Sequence, residues 1–174
     1  KLSERFCFFS AQSIDFLFEK WYNCTVIYKN RQFEFLLRKI KRLVKESDIY
    51  DEKLKTYKTS GDLDPETQEI GRIRAFTKGW LERESNFMHM TYKYLLGLLK
   101  AGLYKEFNEA MKTNLVCFMN PEVYGRSPME HSSFIASSVN PDPLLHGQGF
   151  VARLSGTTAE MISIWLYMML GKHM

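Results

Sequence analysis

Length, composition and charge describe one ordinary globular domain and exclude several classes of protein. The 174 residues are 45% hydrophobic and 25% charged, with a formal net charge of +4, which fits a single domain with its own core and argues against a strongly basic nucleic-acid binder. The three cysteines lie far apart without metal-ligand spacing, so we expect reduced thiols, a cytoplasmic location and no zinc site. No apolar run approaches the roughly 20 residues of a membrane span.

Helical periodicity dominates the first two thirds of the chain. It predicts an early helix capped by Ser10, a short β-like run at residues 25–28 and a second helix over about residues 31–47. Residues 48–78 lack periodicity and predict a long irregular connection.

Two further helices are predicted close together. They cover about residues 85–101 and 103–118, and Gly102 is placed to end the first of them. Helices joined by such short turns favour an all-α fold of helical hairpins with long loops.

The last third of the chain combines loops with one apolar helix. Residues 120–155 predict mostly loop, with a short helix or strand at 134–139. The final helix is predicted to begin near Thr158, with Thr157 as its N-cap and Glu160 completing a capping box. Its body is apolar nearly all round, so we expect it to be central.

The start of this helix is a candidate anion site. Gly156 permits a close backbone approach, Thr157 offers a hydroxyl, and a helix N-terminus carries partial positive charge. An ordinary N-cap explains the same residues and is the preferred interpretation from the residues alone, because such caps are common.

Several polar and aromatic residues elsewhere suit a sugar or phosphate ligand, although each also has an ordinary structural explanation. His89 falls on the polar side of its predicted helix and suits phosphate or a sugar hydroxyl, or simply solvent. Trp80 offers a face for a pyranose ring, and Glu82 an acceptor for sugar hydroxyls or a first-turn acid favouring the helix dipole. Arg126 follows Tyr124 in a loop and suits bidentate binding of phosphate or carboxylate.

A basic stripe over residues 31–45 raises a nucleic-acid hypothesis. The remainder of the chain is near neutral and contains no recognisable nucleic-acid module. A solvated helix face is therefore the preferred interpretation.

Three long segments carry a family resemblance. In chain order they read IGRIRAFTKGWLERESNFMHMTYKYLLGLLKAGLYKEF, NPEVYGRSPMEHSSFIASSVNPDP and HGQGFVARLSGTTAEM. They resemble the C-terminal part of the catalytic domain in inverting glycoside phosphorylases of the cellobiose phosphorylase family, and most closely the branch containing β-1,2-oligoglucan phosphorylases. The likeness covers about residues 50–171.

The resemblance implies a fold and a reaction. Residues 1–174 would form a single partial domain that supplies the last helix pairs of an (α/α)6 catalytic barrel in a larger chain. Inorganic phosphate would attack the anomeric carbon of a terminal β-glucosyl unit and release α-glucose 1-phosphate with inversion. The implied partners are a β-gluco-oligosaccharide and phosphate or glucose 1-phosphate, with no metal or organic cofactor, nucleic acid or membrane. A homodimer is compatible with this interpretation.

The resemblance also implies roles for individual residues. The matching phosphate ligands are His89, Gly156 and Thr157. Glu82 matches a substrate-contacting glutamate, and the other residues expected near the sugar are Trp80, Tyr124 and Arg126.

The chain departs from the family pattern in three respects. Arg83 and Glu84 stand where Asn-Gly is expected, and His131 interrupts an expected Glu-Asn-Ser-Ser run. The general acid, an Asp, is expected upstream of this region, so the chain alone is predicted to be inactive.

Two other functions remain open from the sequence. A glycoside hydrolase on the same barrel would need a second carboxylate to activate water and would ignore phosphate. A non-catalytic α-helical binding module would use the basic stripe of residues 31–45.

Overall fold

About half of the residues that the structure describes are helical. The computed structural model describes residues 31–152 and 156–171. Its helices are α1 (Arg31–Lys45), α2 (Met88–Lys100), α3 (Tyr104–Asn114), the single turn α4 (Pro121–Tyr124) and α5 (Gly156–Leu170). The predicted early helix and the β-like run at residues 25–28 lie outside this part of the chain. None of the described helices is long and apolar enough to cross a membrane.

Two small antiparallel sheets accompany the helices. The first pairs β1 (Tyr50–Asp51) with β2 (Thr56–Tyr57), and the second contains β3 (Asn86–Phe87), β4 (Ser132–Ile135) and β5 (Gly149–Ala152) in that order. The helices predicted within the described residues are present, but this part of the chain also contains strands, so it is mixed and the all-α prediction holds only in part. Strands of two to four residues are too short to show the alternation that identifies a strand.

The predicted helical hairpin at Gly102 is confirmed. Gly102 has φ +75°, the left-handed conformation that commonly ends a helix. The N–H of Leu103 then donates to the carbonyl of Leu98, and α3 begins at the next residue. A reversal this tight places α2 and α3 side by side.

Helix α2 is the centre of the core. Met88, Tyr92 and Leu95 are fully buried on it, and α3 and α5 both pack against it. Burial of apolar side chains contributes about 25 cal/mol per Å² removed from water. Packing therefore fixes the position of the first turn of α2 and of the side chains on it.

Helix α1 confirms the prediction in extent but not in orientation. The basic side chain of Arg38 pairs with Glu106 on α3, and Lys41 lies 3.6 Å from Glu109. Leu37 is buried, whereas three other apolar side chains of α1 are exposed, namely Leu36, Ile40 and Leu43. The acids of α3 attract the basic side of α1, which periodicity within α1 alone does not predict.

Helix α5 is less central than predicted. Only Thr157 and Ile164 are buried on it, because one face packs on α2 while an apolar face stays exposed. The exposed side chains include Ile162, Trp165, Met168 and Met169. The prediction of a central helix was wrong for the described part of the chain.

The remaining differences concern boundaries and short elements. The helix predicted from residue 85 begins at Met88, since Asn86 and Phe87 enter β3. The following helix ends at Asn114 instead of continuing to Phe118. The stretches predicted as irregular contain the first sheet, several short turns, α4, β4 and β5.

Candidate functional site

The first turn of α5 lies against the first turn of α2. A Cβ placed on Gly156 would lie 3.0 Å from two atoms of the His89 imidazole, a separation tighter than ordinary van der Waals contact. His89 Nε2 lies 3.4 Å from Glu160 Oε1, one helical turn further along α5. The structure thus brings together His89 and Gly156, which are far apart in sequence, and glycine is the residue that allows this approach.

Thr157 occupies a different position from the predicted N-cap. Helix α5 begins at Gly156, so Thr157 lies in its first turn and the predicted capping box is displaced. The hydroxyl is buried and donates to the carbonyl of Ser132 at 3.3 Å. Glu160 turns toward His89. Thr157 therefore anchors α5 to β4, while the first-turn N–H groups of α5 have no intrahelical acceptors.

His131 is a second imidazole at this helix start, which sequence reasoning did not assign to the site. Its Nδ1 lies 3.4 Å from the hydroxyl of Thr158, and its ring meets Tyr92 edge-on at 5.7 Å between centroids. Burial lowers the pKa of His131 below its usual value, so the neutral ring is favoured. The interruption of the expected Glu-Asn-Ser-Ser run was the available signal.

Tyr124 is buried and contacts the start of β4, next to the candidate site. Its side chain is 1% exposed, and its hydroxyl donates to the Glu130 carbonyl at 2.7 Å and accepts from the Ser132 N–H at 3.0 Å. Burial raises the pKa of this phenol. Tyr124 and Thr157 thus hold opposite sides of Ser132, and Tyr124 is too enclosed to face a ligand in this structure.

Arg126 lies beside β5. Its Nε donates to the carbonyl of Gly149 at 2.8 Å, and its Nη1 lies 3.7 Å from Glu130 Oε2. About a third of its side chain remains exposed, at 34%. The remaining guanidinium donors are thus available on the surface of the second sheet.

Trp80 joins an aromatic group on the second sheet. Its ring lies 5.1 Å from Phe134 and 4.4 Å from Phe150, measured between centroids, and Phe87 stacks on Phe134 at 6.1 Å. Trp80 is only partly buried. Aromatic contacts of this kind fix a ring's orientation while leaving part of its surface open.

Glu82 lies in the tight turn that follows Trp80. Its Oε1 accepts from Arg72 Nη2 at 2.9 Å, while its buried Oε2 has no hydrogen-bond partner among the described residues. The two neighbours that depart from the family pattern, Arg83 and Glu84, are both buried.

The predicted residues form two groups along one strand. Ser132 contacts Thr157 and Tyr124 at the start of β4, and Phe134 contacts Trp80 two residues later. Two residues span about 7 Å along a strand. The anion candidates and the sugar candidates therefore lie at neighbouring positions of the second sheet.

The part of the chain that the structure describes contains no group of three or more His, Cys, Asp or Glu side chains able to hold a metal ion.

No protein-family model matches the chain, and comparison with curated proteins gives no match either.

Proposed function

We propose that this chain is the C-terminal portion of an inverting glycoside phosphorylase and supplies the phosphate-binding side of its active site. The observation that carries the proposal is the close approach of His89 to Gly156 at the start of α5. Helix N-termini with open N–H groups bind phosphate, and an imidazole beside one adds a further donor.

Phosphate binding would use backbone as much as side chains. The first-turn N–H groups of α5 point toward the helix start, where Gly156 leaves room for the His89 imidazole. The Thr157 hydroxyl donates to the Ser132 carbonyl, so Thr157 contributes by anchoring the helix. Glu160, 3.4 Å from His89, orients the imidazole.

The reaction follows from holding phosphate beside a sugar. A phosphate oxygen attacks the anomeric carbon of a β-linked glucosyl unit, and the glycosidic oxygen leaves with a proton from the general acid expected upstream. Direct attack from the opposite face gives α-glucose 1-phosphate. Phosphate is a co-substrate, and no residue of this chain needs to form a covalent intermediate.

The sugar side would be supplied by the neighbouring group on the second sheet. Trp80 offers a partly open indole face and Glu82 a carboxylate, the combination that stacks on a pyranose ring and accepts from its hydroxyls. Arg126 keeps exposed donors at the strand edge. Tyr124 would act by supporting β4 and not by contacting the sugar.

The exposed apolar side of α5 supports the larger architecture. Trp165 is 52% exposed and Met169 61% exposed, and apolar helix faces of this kind are normally covered. In an (α/α)6 barrel, of which residues 1–174 would be a partial domain, neighbouring helices would cover them. A cytoplasmic location is part of the proposal, and the exposed free thiol of Cys117 supports it.

The non-catalytic binding module is the weaker candidate. Its basic stripe is partly neutralised, because Arg38 and Lys41 pair with Glu106 and Glu109 of α3. No observation specifically favours a hydrolase over a phosphorylase, and the experiment below separates the two.

The proposal is tested on the full-length polypeptide that contains this chain. The protein is incubated with glucose 1-phosphate and a panel of β-linked gluco-oligosaccharides, and phosphate release is followed. We expect release with one class of acceptor and slower release in His89→Ala. Glucan cleavage that does not depend on phosphate, with no release from glucose 1-phosphate, would instead identify a hydrolase.

A further inference from the structure

The tight turn of residues 80–83 and the residue after it concentrate left-handed backbone in a short segment. Trp80 and Arg83 exchange both backbone hydrogen bonds, each 3.1 Å long. Leu81 has φ 48° and Glu84 has φ 56°, two of the four left-handed non-glycine residues in the described ranges. Side chains disfavour this conformation, and strain of this kind clusters at functional sites.

The same stretch holds an unusual share of unpaired polar atoms. Seven buried side-chain atoms lack a hydrogen-bond partner among the described residues, and four belong to residues 82–86: Glu82 Oε2, Arg83 Nε, Glu84 Oε1 and Asn86 Nδ2. Buried polar groups are otherwise nearly always paired. Strain and unpaired atoms therefore coincide in one short segment.

The Glu84 carboxylate is the focus of a buried charge cluster. Its side chain is 3% exposed, and three cations surround it: Lys58 Nζ at 3.7 Å, Arg83 Nε at 3.9 Å and Lys78 Nζ at 4.0 Å. None of these separations is a hydrogen bond. The cations compensate the charge without satisfying its oxygens.

Glu84 ionises at a cost to stability. Burial raises the pKa of its carboxyl, Asp62 adds to this, and Lys58, Lys78 and Arg83 act in the opposite direction without cancelling it. A raised pKa means that the folded state binds the proton more tightly than the unfolded state. The resulting stabilisation is present at low pH and is lost as the pH rises through the folded-state pKa.

The cluster ties the turn to two other segments. Lys78 Nζ also lies 2.8 Å from Asp62 and 2.6 Å from Asp64. Arg83 pairs with Asp64 and donates to the carbonyls of Arg74 and Phe76.

The backbone of Glu84 is held as firmly as its side chain. The Glu84 N–H donates to the hydroxyl of Ser60 at 3.1 Å, and its carbonyl accepts from the hydroxyl of Ser137. These bonds reach one segment before the turn and another after it.

We propose that Glu84 is a positioning residue for sugar binding, whose carboxylate fixes the turn so that Trp80 and Glu82 keep one orientation. The inference rests on the proposed function. Glu84 acts through its neighbours and does not touch the sugar itself, since its oxygens are enclosed. A residue that adds backbone strain and an incompletely paired buried charge lowers stability, and such costs are typical of sites shaped for function.

Two substitutions distinguish the effect of the Glu84 charge from the effect of its left-handed backbone. Glu84→Gln keeps the size of the side chain and removes its charge, while Glu84→Gly also relieves the left-handed backbone. Glu106→Gln is the matched control, because Glu106 is another buried acid, 6% exposed, and it pairs with Arg38 of α1. All are made in the full-length polypeptide.

Binding and stability are measured separately. Calorimetry gives the Kd of a β-gluco-oligosaccharide and of phosphate, and thermal unfolding gives the Tm. For Glu84→Gln we expect an unchanged or higher Tm, and for both Glu84 variants an oligosaccharide Kd weakened about 10-fold, the equivalent of one well-placed hydrogen bond. The phosphate Kd stays unchanged. Glu106→Gln lowers the Tm and leaves both Kd values alone.

The possible failures are distinguishable. A lower Tm with an unchanged oligosaccharide Kd makes Glu84 a purely structural residue and overturns the inference, as does no change in either quantity. Wild-type protein that binds oligosaccharide but never uses phosphate ends the phosphorylase proposal alone, and the Kd comparison still decides the role of Glu84. Wild-type protein that binds no oligosaccharide overturns both.

Discussion

The start of α5 and the turn of residues 80–83 are built in opposite ways. At α5 a regular helix, a glycine and a neighbouring imidazole form the proposed phosphate site, and the N–H groups proposed to bind the anion belong to the helix itself. At the turn, left-handed residues and buried charges hold side chains in place. The first region depends on the absence of a side chain at Gly156, and the second depends on contacts that fix the conformation of the turn. Substitutions should therefore affect the two regions differently.

The largest expected effect is the loss of space at α5. Gly156→Val places a branched side chain where even a Cβ would lie 3.0 Å from His89. We expect the catalytic efficiency toward phosphate to fall at least 100-fold, on the scale of losing a preorganised donor. Steady-state kinetics with varied phosphate measures it.

The matched control is Gly61→Ala. An added Cβ at Gly61 meets Asp48 at an ordinary 3.5 Å, and Gly61 is not left-handed. Its kinetics should match the wild type. Equal losses in both variants would show that the effect reflects general loss of structure.

The next effect is the loss of the imidazole at the same helix. His89→Ala removes a phosphate donor but leaves Gly156 and the helix start intact. We expect the KM for phosphate to rise about 10- to 100-fold, in the range of one or two hydrogen bonds to a charged group, with the oligosaccharide Kd unchanged. His146→Ala, at an imidazole that contacts the Asn140 carbonyl, is the control and should leave the KM for phosphate unchanged. A phosphate KM unaltered in His89→Ala would exclude His89 from the site.

A smaller effect, on stability alone, is expected from substitution of the buried Tyr124. Tyr124→Phe leaves the buried Ser132 N–H without its acceptor, which costs about 1–3 kcal/mol. Chemical denaturation measures this loss. The oligosaccharide Kd should not change, and a weakened Kd at normal stability would restore Tyr124 as a sugar contact.

Those parts of the fold that depend on neighbouring residues in the chain can be predicted from the sequence. The hairpin at Gly102 and the extent of α1 depend on periodicity and helix ends, which neighbouring residues encode. The short strands β4 and β5 depend instead on each other and on β3. The orientation of α1 depends on the acids of α3, which no pattern within α1 records.

The candidate site likewise contains residues that the sequence indicates and contacts that it does not. The family resemblance pointed to both His89 and Gly156, and the structure brings them together. The burial of Thr157 against Ser132 and the position of His131 beside Thr158 arise from contacts between α5 and the start of β4. Such contacts join residues more than twenty positions apart and leave no periodic trace.

The smallest effect concerns pH at the start of α5. The pKa of His131 is lowered by burial, so the folded state binds its proton less tightly than the unfolded state. This contribution to stability is complete above the ordinary histidine pKa of about 6.5 and is lost progressively as the pH falls from there through the folded-state pKa.

His131→Asn removes this titration. We expect the variant to lose less stability than the wild type between about pH 7 and pH 5, as measured by thermal unfolding across that interval. Parallel losses in the two proteins would mean that His131 is no more buried than a surface histidine.

The central claim is that phosphate, and not water, attacks the sugar held by this chain. The most direct measurement incubates the full-length protein with a β-gluco-oligosaccharide and inorganic phosphate and follows the products by ³¹P and ¹H NMR. We predict α-glucose 1-phosphate that forms only when phosphate is present and disappears in Gly156→Val. Free glucose formed at the same rate without phosphate would contradict the claim.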